Sequence, residues 1–512
     1  MTEDRDNLPE LPTGWVWAKT GDICEGIVPG RTKPKIFNGT IPWITLPDVT
    51  GLYISKSQNN LAVTREDAEE VGMRVMPKGT VLMSCVGQFG IICIAEDELV
   101  PNQQFHGFLC LDKIFSEYIA YSLMTQVDQM EQLSSATTIA YINKTKCNSI
   151  QIPLAPLNEQ RRIVAKIEAL KARSQRVKEE LEAIAPLLDQ FRQSVLAAAF
   201  HGDLTADWRQ KNPDIEPATR VLESLREKRF SQARTPAQLQ KLNEIYSSQE
   251  EEDSNLLPES WRYIALEKLC DSFQYGTSAK SLASGKVPVL RMGNIQNGEI
   301  DGSDVVYTSD EDEIEKYKLK IGDVLFNRTN SPELVGKTGI YRGEHQAIFA
   351  GYLIKINNTQ ELDSEYLNYC LNTGYAKEYC WRVKTDGVSQ SNINAQKLGK
   401  FELPFCSLEE QREVVRRINS LFLVANRLKQ NYKEAKAYLD QLDRSILAKA
   451  FRGELVPQDP NDEPASVLLE RIRAEREKLD TKKKAKGKTE KKSHKAKPEV
   501  AEPKQLSLPG FE

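Results

Sequence analysis

The sequence predicts an α+β protein: two mixed α/β domains joined by two long helices that form an antiparallel coiled coil, with internal pseudo-two-fold symmetry. Three observations predict it. Residues 151–208 and 402–459 align without a gap at an offset of 251. Each copy carries an apolar seam at alternating steps of four and three, the heptad pattern of paired helices. Ahead of each seam lie about 150 residues of mixed character with short β-rich runs.

The duplication is read from IPLAPLNEQRRIVAKIEAL against LPFCSLEEQREVVRRINSL, so that Glu159, Gln160 and Arg161 recur as Glu410, Gln411 and Arg412. Weaker echoes precede each copy: Leu11-Pro12 with Trp15 returns as Leu257-Pro258 with Trp261. A repeat of half the chain is too long for a solenoid or propeller and implies two similar domains.

Taken in order, residues 1–152 are expected to form the first mixed domain, with Gly79–Met83 as a buried strand and Glu117–Gln132 as helix. Residues 153–202 form the first long helix, its seam running through Ile163, Ile167, Leu170, Ser174, Val177, Leu181, Ile184, Leu188, Phe191 and Val195. Pro186 lies inside this seam, removes one backbone hydrogen bond and should kink or interrupt the helix. Gly202 is placed as the stop. Residues 203–253 read as a helical linker with charged helix over 217–246 and an exposed acidic run at 250–253.

The second mixed domain covers 254–403, with Gly322–Phe326 as strand and Ser364–Lys377 as helix. The second long helix, 404–453, repeats the seam through Val414, Ile418, Leu421, Ala425, Leu428, Tyr432, Ala435, Leu439, Leu442 and Ile446. Ala437 replaces the proline, which predicts a straighter rod. Antiparallel pairing of some 33 helical residues gives a spacer of about 50 Å. A C-terminal helix follows over 454–480, opened by Glu463-Pro464-Ala465 as 217 is by Glu216-Pro217-Ala218. The lysine-rich 481–512 is expected to be a disordered basic tail, a solvated segment or a nonspecific phosphate contact, whose QLSLPGF end faintly resembles a sliding-clamp peptide.

Composition narrows the function. The chain is 40% apolar and 28% charged, as soluble globular cores are, and no apolar run approaches a membrane span. The acidic start MTEDRDNLPELP is the reverse of a secretory signal and points to the cytoplasm. Nine cysteines without a C-x-x-C pair and four scattered histidines argue against a disulfide framework or zinc site. The net charge of −4, with −6 over residues 1–150, argues against a freestanding DNA binder, because phosphate neutralisation supplies most nonspecific affinity.

Enzymatic signatures are lacking. SPELVGKT at 331–338 has Ser331 where a phosphate loop needs glycine and continues as strand. His106, His201 and His345 have no nucleophile or acid at a recognisable spacing. No catalytic residue, metal ligand or cofactor is assigned to this chain.

What the loops do offer is base-reading side chains. Arg and Lys can take both guanine acceptors in the major groove, and Asn and Gln can pair bidentately with adenine. In the first half these are Arg31, Lys33, Lys35, Asn102, Gln103, Gln104 and His106; in the second, Arg291, Asn294, Arg328, Asn330 and Lys337. A loop aligned across the repeat, SATTIAYIN at 135–143 against DGVSQSNIN at 386–394, adds Thr138 and Tyr141, and Ser389, Gln390 and Asn392. Its shared Ile-Asn suggests scaffold and its differing tips specificity. Surface loops are polar in any case, so each residue alone also has an ordinary reading.

Together IPLAPLNEQRRIV, SVLAAAFHGDLTADW, LPFCSLEEQREVV, SILAKAFRGEL, the openings at Leu11 and Leu257, and GDVLFNRTNSPELVGKTG resemble the specificity subunit of bacterial type I restriction-modification systems. The resemblance implies a noncatalytic subunit whose two target recognition domains each read one half of a split, asymmetric target in double-stranded DNA. It implies two modification subunits, which bring S-adenosylmethionine and methylate adenine, and restriction subunits that use ATP and Mg. The repeated helix ends, Leu196, Phe200 and Leu204 with Leu447, Phe451 and Leu455, are the docking candidates. The rival reading is a noncatalytic coiled-coil assembly protein of another phage-defence complex that reads no sequence.

Overall fold

The computed structural model describes residues 8–110, 115–135, 139–247, 257–343 and 345–477. The acidic run at 250–253 and the tail from 481 lie outside them. The chain divides into two compact units, one built from 1–180 with 435–512 and the other from 181–434. Each is an α+β body.

In the first unit a five-stranded sheet runs in the order Cys24–Ile27, Phe105–Cys110, Val81–Ser84, Ile92–Ala95, Tyr53–Ile54. A three-stranded sheet joins Ala62–Val63, Ile41–Ile44 and Val100–Pro101, and Val16–Lys19 pairs antiparallel with Gln151–Leu154. The second unit follows the same plan. Cys270–Tyr275, Leu353–Asn358, Val324–Asn327 and Thr338–Ile340 lead a six-stranded sheet, and Arg262–Ala265 pairs with Glu402–Phe405. The expected runs at 79–83 and 322–326 become the fully buried strands Val81–Ser84 and Val324–Asn327.

The two expected helices after the sheets each break in the middle, into Ser116–Met124 and Val127–Leu133, and into Ser364–Leu371 and Gly374–Val383. In the second pair the break has a local cause. The Thr373 hydroxyl accepts from Ala376 N (3.1 Å), so that threonine caps a new helix instead of continuing the old one.

The repeat motif is a packing device. Trp15 Nε1 donates to Glu159 Oε2 at 3.0 Å, and Trp261 Nε1 to Glu410 Oε2 at 2.9 Å. Gln160 Nε2 donates to Ala155 O and Gln411 Nε2 to Cys406 O, both at 2.8 Å. Tyr118 and Tyr366 place their hydroxyls on Pro153 O and Pro404 O, at 2.8 and 2.7 Å. All four Glu and Gln side chains are buried, which is why a polar Glu-Gln dipeptide recurs: each saturates a backbone or indole group that the core would otherwise leave unpaired.

The first long helix is two segments, α1 (Leu157–Glu182) and α2 (Ile184–Phe200). Pro186 falls in the first turn of α2, where its missing N–H leaves no interior bond unmade. The second, α3 (Leu408–Ala450), is continuous over 43 residues. Gly202 and Gly453 end the repeats in the left-handed region, at φ of +81° and +75°.

In the first unit α1 and the end of α3 run oppositely, tied by Lys178 to Asp440 and Asp443 (both 2.8 Å), while Arg162 reaches Asp462 beyond the helix (2.6 Å). In the second unit α2 meets the start of α3 through Arg192 to Asn426 (2.5 Å), and Arg417 reaches back to Asp207. The seam is buried at Ile163, Ile167 and Ser174, and at Val414, Ile418 and Ala425. It opens beside those polar ties, where Val177, Phe191, Leu428 and Leu442 are 39–50% exposed.

The chain beyond each long helix closes the core of one unit. Ala218, Val221 and Leu225, on the helix Ala218–Gln232, pack into the second unit; Ala465, Leu468 and Ile472 pack into the first. Arg229 donates to the carbonyls of Glu267, Lys268 and Cys270 at 3.0–3.1 Å, and Arg476 likewise to those of Gly21 and Cys24. The first domain is thus finished by residues more than 450 positions away in sequence.

Candidate nucleic-acid interface

In the second unit the strand Val324–Asn327 runs out at Arg328, where three segments meet. Arg328 N donates to Tyr352 O (3.0 Å), and Arg328 O accepts from Ile393 N (2.9 Å). The guanidinium lies 4.9 Å from the Tyr275 ring centroid. Its Nη1 donates to Gly351 O at 3.2 Å and its Nη2 to Asn392 Oδ1 at 3.3 Å, while Nε has no protein partner. Both bonds are at the long end for N–H···O. Asn392 Nδ2 in turn donates to Thr329 Oγ1 (2.8 Å).

Strands Thr329–Asn330, Ser391–Asn392 and Thr385–Asp386 form a small sheet, so Asn330 is paired with Ser391. Gly387 N donates to Gln390 O (2.8 Å) and closes a hairpin turn on which Val388, Ser389 and Gln390 are exposed. Five sequence-predicted residues, Arg328, Asn330, Ser389, Gln390 and Asn392, are therefore one surface. Arg291 faces Asp304 (3.4 Å), and Lys337, whose carbonyl accepts from Asn327 N (2.8 Å) next to Arg328, turns its ammonium to Gln296 Oε1 (3.2 Å). Sequence reasoning missed the aromatic frame: Tyr275, Tyr352 and Trp381 are all more than 40% exposed, and the Lys384 ammonium sits 4.3 Å from the Trp381 ring centroid. Their chemistry was legible; their exposure was not.

The first unit builds the same frame with other side chains. Cys85 stands where Arg328 does: its N donates to Gln104 O (2.8 Å) and its O accepts from Ile142 N (2.9 Å). Asn102 Nδ2 donates to Gln104 Oε1 (2.9 Å), and Asn102 Oδ1 accepts from Gln104 N (3.0 Å). Tyr141 occupies the place of Asn392 and is exposed, as is Gln103. Thr138 lies outside the described residues. Asn143 and Asn394, the shared part of the aligned loop, are helix caps that accept from Lys146 N and Lys397 N at 3.0 and 2.8 Å. Arg31, Lys33 and Lys35 are exposed, with the Lys33 ammonium 5.3 Å from the Trp43 ring centroid.

Two predicted readers are corrected. His106 is only 2% exposed, edge-on to Phe108 (ring centroids 4.7 Å apart), and burial pushes its pKa down to about 4. Gly26 makes room for it, since a Cβ there would fall 2.4 Å from Asn148 Oδ1 and 3.1 Å from His106 Nε2. Asn294 is buried with its amide spent: Oδ1 accepts from Arg291 N (2.8 Å), and Nδ2 donates to Asp301 O and Asp304 O (2.8 and 2.7 Å).

The predicted docking residues are corrected as well. Leu196 and Phe200 are buried and Leu204 half-buried in the core of the second unit; Phe451 is buried and Leu447 and Leu455 are half-buried in that of the first. Phe200 packs edge-on to Tyr366 and Phe451 to Tyr118, so these apolar groups are consumed within their own units. Among the described residues no group of three or more His, Cys, Asp or Glu is placed to hold a metal ion, and no helix is long and apolar enough to cross a membrane.

Comparison with known proteins gives one consistent result. The family model for the type I restriction modification DNA specificity domain matches residues 12–184 and again 258–436. The EcoKI specificity subunit of Escherichia coli K12 is 27% identical over 493 residues, covering 91% of this chain and 96% of that protein. The StySPI specificity subunit of Salmonella potsdam is 25% identical, covering 92% and 97%. Two solved structures share the fold. One is a chain from a type I R-M system studied for its assembly and conformational transition (TM-score 0.60, 19% identity, covering 87% of this chain and all of that one). The other is the HsdS subunit from Thermoanaerobacter tengcongensis (TM-score 0.50, 20% identity, covering 89% and 100%).

Proposed function

Since the chain belongs to the type I restriction modification DNA specificity family, we propose that it is the noncatalytic subunit that reads a split, asymmetric DNA target, one half with each unit. The observation that carries this reading is the repeated frame with exchanged side chains. One backbone arrangement holds Cys85, Gln104 and Tyr141 in the first unit and Arg328, Tyr352 and Asn392 in the second. Equal scaffolds with unequal readers are what two different half-sites require, because bases are told apart by donor and acceptor pattern and not by fold.

The exposed hairpin at 387–390 and the loop at 139–141 are the proposed base-reading tips. The Arg328 side chain bonds Asn392 at the base of that hairpin, beside the backbone pairing of Ser391–Asn392 with Thr329–Asn330, so Arg328 positions as well as reads. The oppositely running helices within each unit support a single antiparallel coiled coil that fixes the half-site spacing.

We assign chemistry to partners: modification subunits carrying S-adenosylmethionine, and restriction subunits using ATP and Mg. With Leu196, Phe200 and Phe451 buried and Leu204, Leu447 and Leu455 packed half-buried against the same cores, the half-exposed seam residues are the better docking positions, Val177 and Leu442 in one unit, Phe191 and Leu428 in the other. One such pair per unit matches two modification subunits. The adenine to be methylated must leave the stack, so this chain holds the duplex while a partner flips the base.

The test is adenine methylation mapped by single-molecule sequencing in cells that express the chain with its cognate methylase, against the methylase alone. A split motif that needs this chain supports the reading. Soluble, associated proteins that produce no new motif would instead favour an assembly role without sequence reading.

A further inference from the structure

We propose that Cys24 and Cys110 form a reversible disulfide site, closed by a small-molecule disulfide of the glutathione class and confined to the first of the two repeated units. The two cysteines are direct partners in the antiparallel pair Cys24–Ile27 with Phe105–Cys110, and their sulfurs lie 3.7 Å apart. Residues opposed in an antiparallel ladder have Cα atoms about 4.5–5.5 Å apart, inside the window of about 4.4–6.8 Å that a disulfide spans. Rotation of the two thiols, with a small give in the edge strand Cys24–Ile27, is all that closure requires.

The repeat supplies its own control. In the second unit the corresponding strands place Cys270 opposite Asn358, so the same position cannot be bridged there.

The two thiols have distinct parts to play. Cys110 is partly exposed, whereas Cys24 is 1% exposed. The two thiols share a hydrogen bond that holds the Cys110 thiol below its usual range and, with burial, pushes Cys24 up. Cys110 is therefore the thiolate that attacks first. It forms a mixed disulfide with one sulfur of the oxidant and expels one small thiolate. Cys24 then gives its proton to solvent, attacks Cys110 Sγ, breaks the mixed disulfide and expels the second thiolate. The protein loses two protons and two electrons, and the oxidant becomes two thiols. Because the Cys24 carbonyl accepts from Arg476, the bond also fastens the edge strand on which the 465–477 segment is held.

The experiment equilibrates the full chain with graded ratios of reduced to oxidised glutathione, quenches with acid, and counts thiols after denaturation, followed by peptide mapping. Expected is a fall from nine free thiols to seven with a single link between Cys24 and Cys110. A Cys110→Ser chain should keep all eight of its thiols under the same conditions. Nine thiols at every ratio, a link between other cysteines, or thiol loss in Cys110→Ser would each overturn the proposal.

Discussion

Replacing Glu410 by Gln should cost far more stability than replacing Glu159 by Gln, although the two residues are equivalent in the duplication. Each is 1% exposed and each accepts the indole of its own tryptophan. Glu410 also accepts from Thr205 Oγ1 (2.7 Å) and from Arg209 Nη1 (2.5 Å), so its carboxylate is neutralised and saturated. Glu159 Oε1 has no protein partner, and burial holds its carboxyl above the usual range. In Glu410→Gln an amide NH₂ is set against two donors and Arg209 is left without its counter-charge, a buried pair broken from one side at about 3–5 kcal/mol.

In Glu159→Gln the amide oxygen keeps the Trp15 bond and the burial of an uncompensated charge is relieved. The net change should stay within about 1 kcal/mol of either sign. The sign at Glu159 has a pH signature. A carboxyl whose folded pKa is raised binds more protons folded than unfolded, so its penalty grows as pH rises above about 4.5. Glu159→Gln should therefore compare better with the parent at pH 8 than at pH 5. Native-state hydrogen exchange is the assay, read at amides of residues 408–420 and 157–169. A difference of roughly 3 kcal/mol is about a hundredfold in protection. Equal losses in the two variants, or a larger one at Glu159, would refute the account.

Three further outcomes can be checked. His106, held neutral down to about pH 4 by burial, should make stability fall as pH drops from about 6.5 toward 4, by up to roughly 3 kcal/mol, because the unfolded chain gains the proton first. Urea midpoints at pH 5 and 7.5 should show that slope, and His106→Gln should flatten it; an unchanged slope counts against a buried neutral imidazole. Arg328→Ala should weaken methylation at targets of the second unit by about ten- to a hundredfold and leave the other half of the motif intact, as read by sequencing; an unaltered motif removes Arg328 from the interface. Inserting four residues after both Ser174 and Ala425 adds about one helical turn, some 6 Å, and should lengthen the spacer by on the order of one or two base pairs. A motif with its original spacer would contradict the ruler.

Much of the architecture was legible because it rests on local regularities. The offset of 251, the heptad steps and the glycine stops all follow from periodicity and backbone chemistry that hold wherever the segment ends up. Pro186 announced the break between α1 and α2, and Ala437 the unbroken α3. In the aligned loop the shared Asn143 and Asn394 are helix caps, which is a scaffold role.

What failed to be legible was burial. His106 and Asn294 have the side chains of base readers, and Leu196 and Phe451 those of docking residues, yet all four are inside. Residue type records what a side chain can bond, and only its neighbours in three dimensions decide whether the partner is solvent, DNA or its own core.

The sequence by itself determined that there are two similar α+β halves and two long helices, since repetition and period are properties of the chain's order. The tertiary structure decided which side chains are presented and which are spent. It brought Arg328 against Asn392, put Cys85 in the equivalent place, and closed the first domain with Arg476 from the far end of the chain. Such contacts join residues tens to hundreds of positions apart, and no local propensity encodes them; they exist because each unit must bury its apolar surface and pair most of the polar groups it buries with it.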